Sequence, residues 1–249
     1  MTEHTAGERL FARYSYSPNE LSNCGPADIE GLAAVARGED VDFDVRATAP
    51  RIWSAWPYQL VIGKMLGLDP LDERVVRGYW TGSEEVAALD GTEFWVRLLT
   101  IIRPQMGQYW QYLDEKLVPE AAPSHAFHVL GVYPWSRMLN TGRQEPQRVL
   151  SDCCIRSGRV IAMHADHSGT PILGISTQRL IVYDNRLVWQ PEGIEVPALF
   201  DHDIRPGETV AVHWGVACDR LTPDQTRALA AQLTRQIGWV NARLGAANS

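Results

Sequence analysis

The sequence predicts an α+β protein in two parts: an N-terminal helical domain over residues 1–146, then a small five-stranded OB-like β-barrel with a C-terminal helix over residues 147–249. Three observations predict it. Apolar residues recur at helical spacing from about Pro26 to Leu139. The period then drops to two, in short runs separated by tight-turn dipeptides. Beyond Leu221 the helical period returns behind a clear start signal.

Taken in order, Gly25-Pro26-Ala27-Asp28 opens a helix whose Ile29, Leu32, Ala33 and Ala36 share a face and which Gly38 ends. Glu39 to Pro50 reads as a loop. Ile52, Trp56, Leu60, Gly63, Lys64 and Gly67 suggest a second helix, with Trp56-Pro57 marking a bend or an early break. Asp69 reads as the N-cap of a third, with Pro70 at its first position. Phe94 to Ile102 and Gln105 to Lys116 give two more, divided at Arg103-Pro104. Tryptophan and tyrosine are dense in this half (Trp53, Trp56, Tyr58, Tyr79, Trp80 and Trp95 among them), which suits a large aromatic core. The polar, turn-rich stretch between Leu139 and Arg148 reads as a linker.

The alternating runs are Gly158 to Ala165, Pro171 to Ile175, Arg179 to Tyr183, Leu187 to Gln190 and Glu208 to Trp214. Ser168-Gly169, Asp184-Asn185 and Pro206-Gly207 supply turns between them, and five short strands so spaced suit a small antiparallel barrel. In the last helix Thr222 is the N-cap, Pro223 the first residue and Gln225 closes a capping box; Leu229, Leu233, Ile237 and Val240 line one face.

Composition narrows the function classes. The chain has 249 residues, 45% hydrophobic and 21% charged, as ordinary globular proteins have. A net charge of −7 and a pI near 5.5 argue against a nucleic-acid partner. No apolar stretch approaches the ~18 residues of a membrane span, and the polar opening Met1 to Arg9 has no signal-peptide core. Four cysteines, two of them adjacent, do not make a disulfide framework, so the chain reads as cytoplasmic with reduced thiols.

Three constellations could carry chemistry. His125-Ala-Phe-His128 has the spacing that puts two imidazoles on one helix face, but Val129 to Trp135 reads as extended and no third ligand is in view. Cys24 precedes a predicted helix start, where the helix dipole favours thiolate. With His125 or His128 as base it would make a cysteine-dependent hydrolase or transferase, against the plainer reading of a small buried residue. The third is Cys153-Cys154-Ile155-Arg156-Ser157-Gly158-Arg159-Val160, answered sixty residues later by Val212-His213-Trp214-Gly215-Val216-Ala217 and the capped helix.

This ordered set resembles the HypC/HupF-type chaperones of nickel–iron hydrogenase maturation, over about 90 of the 249 residues. The resemblance implies that Cys153 supplies a thiolate and His213 an imidazole at one rim of the β-module. Together they would hold a transient Fe(CN)2CO fragment. It also implies two partners, the hydrogenase large-subunit precursor and an iron–sulfur maturation protein, and an assembly scaffold rather than a catalyst. The chain departs from the family pattern in having its cysteine internal, Ser157 where proline is usual, and Val216 in place of phenylalanine. In the first half, Phe11 to Leu21, Cys24-Gly25-Pro26 and Phe127 to Trp135 resemble an uncharacterised actinobacterial family associated with hydrogenases. A zinc site of Cys153, Cys154, His213 and Cys218 is a weaker expectation, lacking CxxC spacing.

Overall fold

Helix α1 (Ala6–Glu20) opens on a capping box: Thr5 Oγ1 accepts the Glu8 N–H, and the Glu8 carboxylate accepts the Thr5 N–H. The computed structural model describes residues 3–21, 30–105, 113 and 115–246, so Cys24 and most of the helix expected over Gln105 to Lys116 lie outside the described residues. Helix α2 (Glu30–Arg37) ends where Gly38 takes a φ of +79°. A short α3 (Val45–Thr48), capped by Asp44, interrupts the expected loop. Helix α4 (Trp56–Leu66) begins at Trp56, so Pro57 sits in a first turn rather than at a bend. Asp72, not Asp69, caps α5 (Glu73–Trp80); Asp69 instead accepts the Leu71 N–H and pairs with Arg46. Helices α6 (Glu84–Ala87) and α7 (Gly91–Ile102) follow, capped by Ser83 and Asp90.

The next segment departs most from expectation. A short α8 (His125–Phe127) runs into a single turn of π-helix, His128–Val132, so that Val129 to Val132, read as extended, are helical. All eight are buried, and a helix apolar on every side carries no 3.6-residue pattern to distinguish it from a strand. The expected linker is likewise structured: α9 (Gln144–Cys153) fills it, with Pro146 in its first turn.

The sheet contains β1 (Arg156–Ala165), β2 (Pro171–Tyr183), β3 (Arg186–Pro197), β4 (Thr209–His213) and β5 (Val216–Arg220). All pairings are antiparallel in the order β3-β2-β1-β4-β5, so the sheet is open, with β3 and β5 as its edges, and no ladder among the described residues closes it into a barrel. The runs 171–175 and 179–183 belong to one strand. Asp184-Asn185 makes the β2–β3 turn with both φ values positive, as a two-residue hairpin requires. The last helix, α10 (Pro223–Ala246), begins with the expected Thr222–Gln225 capping box.

Both faces of the sheet centre are buried. Val160, Ile175, Val210 and Val212 pack together on one face with Leu173 and Val196. Leu180, Leu187, Ala211 and Cys218 belong to a larger cluster, which continues through Tyr14, Tyr58, Trp80, Phe94 and Phe127 and includes Leu229, Leu233 and Val240 of α10. One apolar core therefore joins residues on both sides of position 147. Polar contacts lock the same junction. Arg77 Nη1 lies 2.8 Å from Asp219 of β5, Gln236 Nε2 donates to the Glu120 carbonyl at 2.8 Å, and Arg243 pairs with the Glu120 carboxylate. Asn241 both accepts from the Leu187 N–H and donates to the Leu187 carbonyl, covering part of the β3 edge.

A shared core predicts shared unfolding. Leu233→Ala, which removes a buried side chain of α10, is expected to cost about 2–5 kcal/mol and to move one single urea transition. Two separated transitions by fluorescence and circular dichroism would contradict that coupling.

Candidate metal centre

Cys153 is the last residue of α9, and the helix end leaves the Asp152 carbonyl without an intrahelical donor. The Trp214 N–H supplies one at 3.0 Å. Trp214 and Gly215, with φ of +49° and +76°, form the two-residue turn between β4 and β5. A bulky residue at positive φ is uncommon, and here the conformation aims its N–H at the helix end. The β1–β4 ladder, in register at Arg156↔Val212, continues the alignment. Cys153 and His213, sixty residues apart, are thereby brought together.

Strand alternation decides which way His213 faces. Val210 and Val212 turn into the smaller core; Ala211 and His213 turn the other way, toward the helices. There His213 meets α1, whose Tyr14 carbonyl lies 2.9 Å from Nδ1, and the ring of Trp80, 5.6 Å away between centroids. His125, the first residue of α8, joins them, its ring 4.7 Å from Trp80 and 5.1 Å from His213, nearly perpendicular to the latter. Ser124 fixes that helix start by accepting the Phe127 N–H.

The result is a cluster of His125, Cys153 and His213 whose ligand atoms all lie within 4.8 Å of one another, the residues being 3%, 4% and 1% exposed. The expected pairing of Cys153 with His213 is therefore present. Its expected place at the rim of the β-module is corrected: helices cover that rim and the pair is buried. Cys154 and Cys218 are not in the cluster, and burial pushes the Cys154 thiol up to about 12 and the Cys218 thiol further. His128 sits beside His125 but bonds Tyr58 Oη through Nδ1 at 2.9 Å, and is also outside the cluster. Burial holds it near 3, which makes it a weak general base at neutral pH.

The electrostatics favour a metal ligand set. Burial lowers His213 to about 4, although the carbonyls of Tyr14 and Cys153 favour its protonated form, and burial with two neighbouring imidazoles lowers His125 well below its ordinary value. Both rings are neutral at pH 7, as ligation requires. A carbonyl can only accept, so Nδ1 of the neutral His213 carries the proton and Nε2 carries the lone pair. Nε2 is buried and makes no hydrogen bond among the described residues, an arrangement costing about 1–3 kcal/mol unless something occupies it. Donors around a tetrahedral zinc-like ion stand about 3.6 Å apart, a spacing that falls inside the 4.8 Å bound on these ligand atoms. A cleft of about 650 Å³ lies between α10 and the segment leading into α8. Its wall carries both signs of charge, from Arg77, Glu84, Asp224, Arg227 and Arg235, and none of the three cluster residues lines it.

Sequence reasoning found Cys153 and His213 but did not join His125 to them. No sequence signal reports that contact, since it crosses from the helices to the sheet. The pKa lowering sets a pH dependence. Between about pH 6.5 and 4 the unfolded chain binds protons at these histidines that the folded, metal-free chain refuses. Stability is therefore full above 6.5 and falls with acidity across this window, by about 3 kcal/mol for His213 alone. Urea titrations from pH 8 to 4 are expected to show that fall, and a level profile would contradict it.

Among known proteins, no curated protein and no solved structure matches the chain. No helix among the described residues is long and apolar enough to cross a membrane. A family model, described as a family of unknown function (DUF6390), matches residues 3–247. That match spans nearly the whole chain, which therefore belongs to this family.

Proposed function

We propose that this chain is a cytoplasmic accessory protein of nickel–iron hydrogenase maturation, an assembly scaffold without turnover of its own. Its cargo is the Fe(CN)2CO fragment, held by the Cys153 thiolate and the His213 imidazole. Its partners are the immature large subunit and an iron–sulfur maturation protein. One observation carries the reading: the two side chains singled out by the resemblance, sixty residues apart, belong to a single cluster of ligand atoms.

The chemistry of the donors suits such a cargo. Low-spin iron bearing cyanide and carbonyl is soft and electron-rich, which a thiolate matches. The Tyr14 carbonyl, 2.9 Å from Nδ1, orients the His213 ring. Trp80 packs against the His213 ring, and the burial of the site would protect oxygen- and water-sensitive cargo. Burial of all three residues describes a closed, holding state, and loading requires the helices over β4 to give way.

Deleting the gene in a hydrogenase-producing host is expected to leave the large subunit unprocessed and to cut hydrogenase activity by at least about tenfold. Complementation with the wild-type chain restores both; complementation with Cys153→Ala does not. Normal processing in the deletion strain would end the proposal.

A further inference from the structure

We infer that His125 is the third protein ligand of this centre, so that the helical part completes a metal site which the sheet part begins. The inference rests on the proposed function only for the identity of the cargo; the ligand set stands on geometry. His125 offers a ring nitrogen within 4.8 Å of both the Cys153 sulfur and the His213 nitrogen. Its ring is nearly perpendicular to that of His213, at 83°, so the two imidazoles do not stack and can address one point from different directions. The neighbouring imidazole cannot substitute for it, because His128 is engaged by Tyr58 and lies outside the cluster. His213 Nε2 is itself buried with no hydrogen bond among the described residues.

Two neutral imidazoles and one thiolate form a one-sided set. It suits zinc and cobalt(II), which accept mixed nitrogen and sulfur donors with one position left open. It also suits octahedral iron, where three protein donors on one face leave the opposite face to the three diatomic ligands of the cargo. In either case the ion displaces the Cys153 thiol proton to solvent, and the imidazoles bind without losing one. His125 therefore makes metal retention depend on α8 remaining seated over β4. A scaffold with Cys153 and His213 alone would have no such dependence.

The test uses the full-length, metal-free chain titrated anaerobically with cobalt(II) chloride. The wild type is expected to take up one equivalent with a thiolate charge-transfer band, and X-ray absorption of the bound ion to require one sulfur and two imidazoles. His125→Asn should weaken binding at least about tenfold and remove one imidazole from the ion's shell, while His128→Asn should stay within about twofold of wild type. Near-ultraviolet circular dichroism checks that each variant folds; if His125→Asn does not, the wild-type absorption spectrum decides by its imidazole count. A single imidazole, unchanged affinity in a folded His125→Asn, or no uptake by the wild type would overturn the assignment. Uptake through all three ligands, in a chain whose deletion leaves hydrogenase processing intact, would uphold His125 and remove the hydrogenase reading. A processing defect with only one imidazole on the ion would do the reverse.

Discussion

The hydrogen bond from the Trp214 N–H to the Asp152 carbonyl is the contact on which the centre depends. It satisfies a carbonyl that the end of α9 leaves open, and it ties the β4–β5 turn to that helix end. Residues on either side of the bond, Cys153 and His213, inherit their proximity from it. The β1–β4 ladder then extends the same alignment into the sheet. The tie and the ladder together hold the cysteine and histidine near each other, though they belong to separate elements.

Burial does the rest of the work, and it acts by exclusion of charge. The imidazoles of His125, His128 and His213 are all depressed by it, and none of the three carries a carboxylate partner among the described residues that would hold a proton on the ring. The ion pairs lie outside the cluster: Arg13 and Arg77 flank Asp219, and Arg243 meets the buried Glu120 carboxylate. These pairs clamp α1, α5 and α10 against the rest of the molecule without entering the centre. The interior is left with neutral donors, a condition that favours a metal ion over a proton. Aromatic rings supply the walls: Trp80 touches His125 and His213 and stacks on Tyr14 at 5.4 Å.

Much of the fold was legible because its signals are local. The Thr222–Gln225 capping box and the Asp184-Asn185 turn each reflect chemistry within a few residues and stand where expected, whereas two of the alternating runs merge into β2 and the fifth strand, β5, lies beyond the last expected run. The Thr5–Glu8 box that opens α1 is an equally local signal. The segment from His125 to Val132 was not legible, since burial on every side erases the pattern that distinguishes helix from strand. The open sheet was expected as a barrel because closure depends on whether β3 and β5 pair, which no short-range pattern reports. Cys153 and His213 could be named from spacing and resemblance. Their burial could not, because it depends on contacts between elements far apart in the chain, such as that between Tyr14 of α1 and His213 of β4.

Infrared spectroscopy on the chain purified without oxygen from hydrogenase-maturing cells tests the central claim most directly, since cyanide and carbonyl stretches fall where protein does not absorb. The account predicts those bands in the wild-type chain and their loss in both Cys153→Ala and His213→Ala. Their absence from the wild type, or their persistence in either variant, would contradict it.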